Sequence, residues 1–258
     1  MQNPESTNPE FANFINMNCI ALIPARYAAT RFPGKLMQTL GSKSVIRHTY
    51  DNTVATGLFD EVWVATDSDI IFEEIVSHGG KAKMSLRSHE SGSDRIAEAA
   101  ADMDVEIIVN VQGDEPFVKK EPLQQLLSVF SDDEGKAVQV ASLMQVLKEE
   151  KYISDPNYVK VAADLKGNAL FFSRSVIPFP RSRDHPITYY EHIGVYAFRK
   201  QALMAFTGWA VTPLEAVEKI ECLRYLEHGI PIRMVVTEYM GLEIDTPEDL
   251  RRAEAIIK

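Results

Sequence analysis

Residues 19–66 read CIALIPARYAATRFPGKLMQTLGSKSVIRHTYDNTVATGLFDEVWVAT, and their pattern decides the fold. Two short apolar runs, 19–24 and 61–66, flank a polar loop and a segment, 44–57, whose apolar residues recur at helical spacing. A strand, a helix and a second strand in this order are typical of a βαβ unit, in which both strands run parallel. The stretch therefore predicts an α/β fold with a mainly parallel sheet.

The same alternation continues along the chain from this unit. Helical periods and apolar runs follow in turn at 68–80, 81–86, 94–103, 106–112 and 119–131. The region 137–198 is richer in strand-forming residues, which predicts either completion of the sheet or a β-rich flap used in oligomerisation. Amphipathic helices are predicted over 213–229 and 246–258, on either side of a strand at 231–238.

Length and composition limit the classes of protein that this chain can represent. The 258 residues with 45% hydrophobic content fit one α/β domain, which we assign to residues 17–258. A net charge of -10 argues against a nucleic-acid or membrane partner, since both require a basic surface. Two cysteines form no metal or disulfide pattern, which favours a cytoplasmic setting. We interpret residues 1–16 as a flexible extension or a cloning remnant.

The loop after the first strand, 24–35, reads PARYAATRFPGK and carries three cations, Arg26, Arg31 and Lys35. In a parallel α/β sheet, ligands bind beyond the carboxyl ends of the strands, which is where this loop must lie. Guanidinium and ammonium groups there can neutralise phosphate, although three ordinary surface cations would give the same pattern. The loop matches neither GxxxxGK[ST] nor GxGxxG, so a P-loop protein and a dinucleotide dehydrogenase lose their main support.

Two aspartates are candidates for a metal site. Asp114 follows an apolar run in QGDEP (112–116), where a tight turn that caps backbone amides is the structural alternative. In the segment 241–250, GLEIDTPEDL, the roles of Thr246, Pro247 and Asp249 are explained by the cap and first turn of a helix. Asp245 has no structural role in that helix start. Carboxylate oxygens are ligands that Mg²⁺ prefers, so the pair predicts a magnesium site if the fold brings them together.

Two further segments carry polar residues whose roles the pattern leaves open. Ser91 and Asp94 stand at the spacing of a helix capping box, which accounts for them structurally. His192 and Tyr196 flank a glycine on one face of a predicted strand, as a ligand shelf or as a hydrogen-bonded core pair. Glu221 belongs to a series of glutamates that would also fit a solvated helix face.

Five motifs in this order resemble those of the 3-deoxy-manno-octulosonate (KDO) cytidylyltransferases. They are PARYAATRFPGK, HESGSDR, QGDEP, HIGVY and DTPEDL, and the resemblance covers nearly the whole chain from about residue 18. It implies a Rossmann-like nucleotidyltransferase sheet, CTP and KDO as substrates, Mg²⁺ as cofactor and a homodimer. The implied reaction transfers CMP to the anomeric hydroxyl of KDO, giving CMP-KDO and pyrophosphate for lipopolysaccharide synthesis.

The resemblance also implies a role for each matching residue. The implied catalytic residues are Arg26, Arg31, Lys35, Asp114 and Asp245, of which Asp114 and Asp245 hold the metal. The implied nucleotide contacts are Ala25, Arg26, Lys35, Ser91, Gly92, Arg95 and Gln112. The implied sugar contacts are Gln112, His192, Tyr196 and Glu221. The chain departs from the family pattern at Ala29, usually Ser or Thr, and at Cys222, usually Gln, which leaves open a modified octulosonate.

Three alternatives remain at this stage. An acylneuraminate cytidylyltransferase shares the first loop but normally differs at QGDEP and HIGVY. A non-catalytic nucleotide-sugar-binding protein would use the same scaffold, but it would have no need to keep every phosphate and metal residue. A glycosyltransferase is the third alternative.

Overall fold

The structure, a computed structural model, describes residues 17–28, 32–89, 91–133, 135–182, 184–238 and 241–257. The predicted extension, residues 1–16, lies outside the described residues, as do Ala29 and Arg31 of the cationic loop.

The strands and helices follow one another in the alternating order that the sequence predicts. The strands are β1 (Cys19–Ala25), β2 (Thr39–Leu40), β3 (Lys43–Ser44), β4 (Glu61–Thr66), β5 (Ala82–Met84), β6 (Ile107–Asn110), β7 (Val140–Leu147), β8 (Lys160–Ala163), β9 (Ala169–Ser173), β10 (Tyr189–Arg199) and β11 (Ile232–Val236). The helices are α1 (Val45–Ala55), α2 (Asp69–Val76), α3 (Gly92–Ala100), α4 (Lys120–Ser131), α5 (Glu150–Ser154), α6 (Lys200–Gly208), α7 (Pro213–Glu218), α8 (Leu223–Glu227) and α9 (Pro247–Ile257). A short 3₁₀ helix spans Lys35–Met37.

The main sheet has the strand order β11-β7-β10-β6-β1-β4-β5. β1 pairs in parallel with β4 and β6, β4 with β5, and β7 with β11. β10 is antiparallel to both β6 and β7, and the hairpin β8–β9 joins the sheet through β10. The predicted α/β fold with a mainly parallel sheet is therefore confirmed, and the β-rich region both completes the sheet and projects as a hairpin.

Helices cover both faces of this sheet, as a doubly wound fold requires. Alternate residues of β1 enter different cores: Ala21 and Ile23 pack with the side of α1, α2 and α4, whereas Ile20 and Leu22 pack with the side of α3 and α6. All four are at most 5% exposed. An unbroken apolar run in the sequence thus becomes a strand that is buried on both faces.

The helix predicted over 213–229 is wrong, because the chain forms two short helices, α7 and α8, in its place. Lys219 ends α7 in the left-handed conformation, with φ 57° and ψ 45°. The break lets Arg224 form a two-pronged ion pair with Glu215, with nitrogen–oxygen distances of 2.5 and 2.7 Å. In one continuous helix, nine residues would put these side chains on opposite faces.

Helix α6 is a second element that the sequence reading did not predict. It begins directly after β10 at Lys200 and packs against α3, with Leu203 and Phe206 at most 1% exposed. Its apolar residues cover the sheet face that α3 alone leaves open, which makes the second core continuous.

Candidate active site

The loop after β1 lies at the carboxyl edge of the sheet, as predicted. Gly34 adopts a left-handed conformation, φ 64°, and its amide donates to the carbonyl of Tyr27 at 3.3 Å, which turns the loop back on itself. Gly113 of the QGDEP segment lies against this loop: a Cβ there would meet the Pro24 carbonyl oxygen at 3.0 Å. The absence of a side chain at Gly113 therefore lets the two motifs touch.

Lys35 joins the two aspartates that the sequence singles out. Its ammonium contacts a carboxylate oxygen of Asp114 and donates to Asp245 Oδ1 at 2.7 Å, across separations of 79 and 210 residues. Burial opposes the lysine charge, but the two carboxylates outweigh burial and raise the pKa of Lys35 above its ordinary value. The structure thus brings together Lys35, Asp114 and Asp245 around one point.

Backbone contacts hold the second aspartate in this position. The amide of Ile244 donates to the carbonyl of Asp114 at 2.9 Å, which ties the segment before α9 to the QGDEP turn. Thr246 and Asp249 cap α9 reciprocally, with the Asp249 amide 3.2 Å from Thr246 Oγ1 and the Thr246 amide 3.0 Å from Asp249 Oδ2. The predicted cap is confirmed, and it leaves Asp245 just outside the helix.

Glu243 is a third carboxylate at this point, and the sequence reading missed it. Ligand oxygens of Asp114, Glu243 and Asp245 all lie within 4.8 Å of one another. Ile244 between them is fully buried, so an extended chain places Glu243 and Asp245 on the same, outer side. The alternation of Glu243, apolar Ile244 and Asp245 was the signal in the sequence that could have found Glu243.

The amino end of α3 approaches the same point from another side. Ser91 caps the helix by accepting from the Asp94 amide at 3.1 Å, as predicted from the spacing. Gly92 lies against Pro24 of the first loop. Arg95 is 3% exposed, and its guanidinium donates to Asp67 Oδ2 at 2.7 Å and to Ser85 Oγ at 2.9 Å, so it also braces the segment before α3.

These groups surround a cavity of about 340 Å³, which we call the loop cavity. Its wall contains every described residue of the predicted catalytic and nucleotide-binding sets: Ala25, Arg26, Lys35, Ser91, Gly92, Arg95, Gln112, Asp114 and Asp245. Glu221, predicted as a sugar contact, and Glu243 also belong to this wall. Residues far apart in the sequence therefore converge on one site.

A second cavity of about 300 Å³, the strand cavity, lies along β6 and β10. It contains the four predicted sugar contacts: Gln112, His192, Tyr196 and Glu221. Gly92, Gln112, Glu221 and Glu243 line both cavities, so the two share a wall. A ligand with two parts could therefore lie across both.

A bulge in β10 shapes the strand cavity. The pairing of β10 with β7 shifts between Ile193 and Tyr196, and Gly194 in this bulge lies against the side chain of Gln112. Gln112 Nε2 donates to the Gly194 carbonyl at 2.9 Å. The bulge turns a regular strand into a curved wall, which is a common use of this irregularity near sites.

His192 and Tyr196, two polar side chains of the strand cavity, are uncharged at neutral pH. Burial lowers the pKa of His192 to about 4, so the ring is neutral at neutral pH. Its Nε2 lies 3.1 Å from Ser142 Oγ. Burial, followed by its contact with Cys222, raises the pKa of Tyr196 well above its ordinary value and keeps the phenol protonated. Burial also raises the pKa of Glu221, although Ser93 donates to its Oε2 at 2.9 Å.

Several residues of the strand cavity escaped the sequence reading. They are Ser93, Asn110, Glu115, Arg174 and Lys219. Burial, then the charges of Asp114 and Glu243, raise the pKa of Glu115 to about 8. Arg174 and Lys219 supply positive charge, but each lies in a segment without a motif, at the end of β9 and at the break after α7. Asn110 lies two residues before Gln112, and Glu115 directly follows Asp114, so the neighbours of the QGDEP motif residues were the signal in the sequence that could have found them.

Cys222, which replaces the usual glutamine, does not line either cavity. It is 2% exposed and packs in the core beneath Tyr196. The departure therefore removes a long polar side chain from beneath the strand cavity and places a small thiol there.

Comparisons with known proteins agree with this geometry. A family model described as cytidylyltransferase matches residues 20–234. The 3-deoxy-manno-octulosonate cytidylyltransferase of Flavobacterium johnsoniae is 59% identical over 242 residues, covering 94% of this chain and 99% of the relative. That of Geobacter metallireducens is 41% identical, covering 91% and 95%. The chain belongs to the 3-deoxy-manno-octulosonate cytidylyltransferase family. The resemblance inferred from the motifs is confirmed.

Solved structures of two related synthases share the fold of this cytidylyltransferase. CMP:2-keto-3-deoxy-manno-octonic acid synthetase in complex with CTP superposes with a TM-score of 0.88 at 34% identity, covering 93% of this chain and 98% of that one. A 4-diphosphocytidyl-2C-methyl-D-erythritol synthase from Anaerococcus prevotii gives a TM-score of 0.62 at 18% identity, which shows a shared fold alone. No helix among the described residues has the length and apolar character to cross a bilayer.

Proposed function

We propose that this cytidylyltransferase transfers CMP from CTP to the anomeric hydroxyl of KDO, with release of pyrophosphate. The observation that carries the proposal is the shared wall between the loop cavity, which holds Lys35, Asp114 and Asp245, and the strand cavity. A nucleotide and a sugar bound in these two cavities would meet at that wall. The names of the relatives and the CTP complex of the related synthetase support both substrates.

The loop cavity has the groups that a triphosphate requires. Arg26 and Lys35 supply positive charge, and the nine-residue helix α3 directs its amino end at the cavity through Ser91 and Gly92. Amides at a helix amino end bind anions, because their hydrogens are not used within the helix. Arg31, on the same loop, remains a predicted phosphate contact. In-line transfer depends mainly on positioning and charge neutralisation, and these groups provide both.

The acidic cluster fits a magnesium ion. Asp114, Glu243 and Asp245 offer carboxylate oxygens within 4.8 Å of one another, and hard oxygen ligands are what this ion prefers. The ammonium of Lys35 already occupies a position between two of these carboxylates, so the cluster accommodates a cation. When bound, Mg²⁺ supplies Lewis-acid stabilisation of the α-phosphate and favours ionisation of the attacking hydroxyl.

Lys35 has two sets of partners in this proposal. In the described structure its hydrogens are directed at Asp114 and Asp245. With Asp114 and Asp245 holding a metal ion, the ammonium of Lys35 would be free to donate to phosphate oxygens. Lys35 would then stabilise negative charge on the pyrophosphate as it leaves.

The strand cavity suits the sugar acid. Neutral His192, protonated Tyr196 and Glu221 offer hydrogen-bonding groups for hydroxyls. Arg174 and Lys219 line the same cavity and can balance the sugar carboxylate. Arg174 is fixed there by its Nε, which donates to the Glu218 carbonyl at 2.8 Å.

A direct assay tests the reaction. Purified protein is incubated with CTP, Mg²⁺ and either KDO or N-acetylneuraminate, and pyrophosphate release is followed. We expect turnover that requires KDO and Mg²⁺ and that is at least tenfold slower with neuraminate. Binding of CTP without any pyrophosphate from KDO would reject the proposal in favour of a nucleotide-binding protein, and faster turnover of neuraminate would favour the sialic acid reaction.

We also propose that the protein acts as a homodimer in the cytoplasm. Leu165, Leu170 and Phe179, on and after the β8–β9 hairpin, are 108%, 63% and 81% exposed. Large apolar side chains that are exposed in the single chain suit a self-association surface. Light scattering after size-exclusion chromatography should give twice the chain mass of 29.0 kDa, and Leu170→Lys should shift the protein toward monomer. A wild-type monomer at micromolar concentration would contradict this proposal.

A further inference from the structure

Asn110, the last residue of β6, has a buried side chain with an unmet hydrogen-bonding need. The residue is 2% exposed, and its side-chain oxygen has no hydrogen-bond partner in the part of the chain that the structure describes. Buried polar atoms nearly always have a partner, because leaving one unsatisfied is costly. An acceptor at this position therefore points to a donor that comes from outside the folded chain.

Asn110 lies on the wall of the strand cavity and not on that of the loop cavity. Gln112 follows two residues later and lines the same cavity, as the alternation of an extended chain requires. Tyr196 is directly opposite Asn110 in the pairing of β10 with β6. The unmet acceptor thus stands among the predicted sugar contacts and away from the nucleotide side.

The neighbouring donors on this wall are directed at other groups. Ser93 Oγ donates to Glu221 at 2.9 Å, and Gln112 Nε2 donates to the Gly194 carbonyl at 2.9 Å. The Tyr196 hydroxyl hydrogen bonds with the Cys222 thiol. None of these three bonds involves the Asn110 side chain, so a hydroxyl donor from a molecule in the cavity would not compete with them.

We propose that Asn110 is a specificity-determining residue for the acceptor sugar, with its side-chain oxygen accepting a hydrogen bond from a sugar hydroxyl. The inference rests on the proposed function, since it assigns the strand cavity to the octulosonate. An uncharged acceptor suits this place, because Glu221 and Glu243 already line the cavity and a further carboxylate would repel an anionic sugar.

The Asn110→Leu variant tests the inference, because it keeps the side-chain volume and removes the acceptor. We expect the KM for KDO to rise about tenfold while the KM for CTP stays within twofold. The melting temperature should stay equal or rise, since an unsatisfied buried group is removed. A purely structural asparagine would give the opposite result, a lower melting temperature with an unchanged KM for KDO.

Gln145→Leu is the matched control. Gln145 is also a buried amide whose side-chain oxygen has no partner among the described residues, but it lines a different cavity. We expect its KM for KDO to stay within twofold of wild type. An equal rise in both variants would overturn the proposal, because the effect would then not be specific to the strand cavity.

Monodeoxy analogues of KDO give a second measurement, and Asn110→Ser provides a smaller variant if the leucine variant does not fold. For wild type, one analogue should show a raised KM relative to KDO, and in the Asn110 variant that difference should disappear. Differences that persist unchanged for every analogue would reject the contact. Wild-type enzyme that releases no pyrophosphate from CTP and KDO would instead reject the proposed function itself.

Discussion

The loop cavity and the strand cavity meet at one wall but are built in different ways. The loop cavity is formed by segments that follow β1 and β6 and by the amino end of α3, and it concentrates charges such as Lys35, Asp114 and Asp245. The strand cavity is formed by the bulge of an antiparallel strand and by the break after α7. Its central groups, His192 and Tyr196, are uncharged.

This difference teaches how one fold can separate two binding tasks. Charged groups at the ends of parallel strands can neutralise phosphates and a metal, because every such strand ends at the same sheet edge. Neutral donors and acceptors on buried side chains can distinguish hydroxyls, since a buried unpaired polar group is costly. Changes in the loop cavity should therefore mainly affect turnover, and changes around the strand cavity should mainly affect sugar affinity and stability.

Asp114→Asn should give the largest effect. We expect kcat to fall about 10³-fold or more, because the variant loses a charge from the acidic cluster and weakens the contact with Lys35. The fold should remain, since the Asp114 carbonyl that accepts from Ile244 is unchanged. Pyrophosphate release and circular dichroism measure the two outcomes.

Asp132→Asn serves as the control for that variant. Asp132 is exposed at the end of α4, so its substitution removes the same charge from the protein without touching the loop cavity. It should keep wild-type turnover. A folded Asp114→Asn enzyme with a near wild-type rate would show that the charged cavity is not where the chemistry occurs.

Arg224→Met should give the largest loss of stability. It leaves Glu215 buried without its two-pronged partner, and breaking a buried ion pair in this way costs about 3–5 kcal/mol of unfolding free energy. The KM for KDO should rise as well, because this pair fixes the helices on either side of Glu221. Urea unfolding and steady-state kinetics measure the two effects.

The double variant Glu215→Leu with Arg224→Met should recover much of that stability, since no charge is then left buried. If Arg224→Met alone unfolds at the wild-type urea concentration, the ion pair does not hold the break together. The strand cavity would then owe its shape to the bulge in β10 alone.

Acidification should destabilise the protein through His192. Its pKa is lowered to about 4 in the folded state, whereas an unfolded histidine titrates near pH 6.5. The unfolded state therefore binds more protons between these values, so the stability present above pH 6.5 is lost as pH falls through 4. The contribution reaches up to about 3 kcal/mol.

His192→Gln should flatten the pH dependence of urea unfolding between pH 6.5 and 4.5, whereas His185→Gln, at an exposed position, should leave it unchanged. Equal slopes for wild type and His192→Gln would show that the ring is not held in its neutral form. The strand cavity would then carry a charge near neutral pH, and the contrast between the two cavities would weaken.

The sequence predicted the loop cavity better than the strand cavity, for a physical reason. Asp114 and Lys35 follow strands, so local pattern and the parallel topology together place them at one edge. Asp245 could be recognised because Thr246 and its neighbours explain the cap without it. The strand cavity depends instead on the register of β10, which local pattern does not define.

The break after α7 shows the same limit. The segment 213–229 has a continuous helical period, which predicts one straight helix. The chain breaks instead, because the buried ion pair between Glu215 and Arg224 stabilises it more than the lost helical hydrogen bonds would. Residue spacing alone cannot show this balance of free energies. The positions of Lys219 and Glu221 depend on this break in the helix. Their roles in the strand cavity were therefore visible only once the chain was folded.

Lys219→Gly should give the smallest effect and the sharpest comparison of stability with sugar binding. Lysine in the left-handed conformation is strained, so glycine at φ 57° should stabilise the protein by about 0.5–1 kcal/mol. The same change removes a cation from the strand cavity, and the KM for KDO should rise about twofold to fivefold, a modest effect because Arg174 remains.

Lys136→Gly is the matched control: the residue has φ 51° and its ammonium pairs with Glu106, away from both cavities. It should relieve similar backbone strain without changing the KM for KDO. If both variants leave that KM unchanged, the lysine serves only to end α7, and recognition of the sugar carboxylate rests on Arg174 and the hydrogen-bonding groups of the cavity.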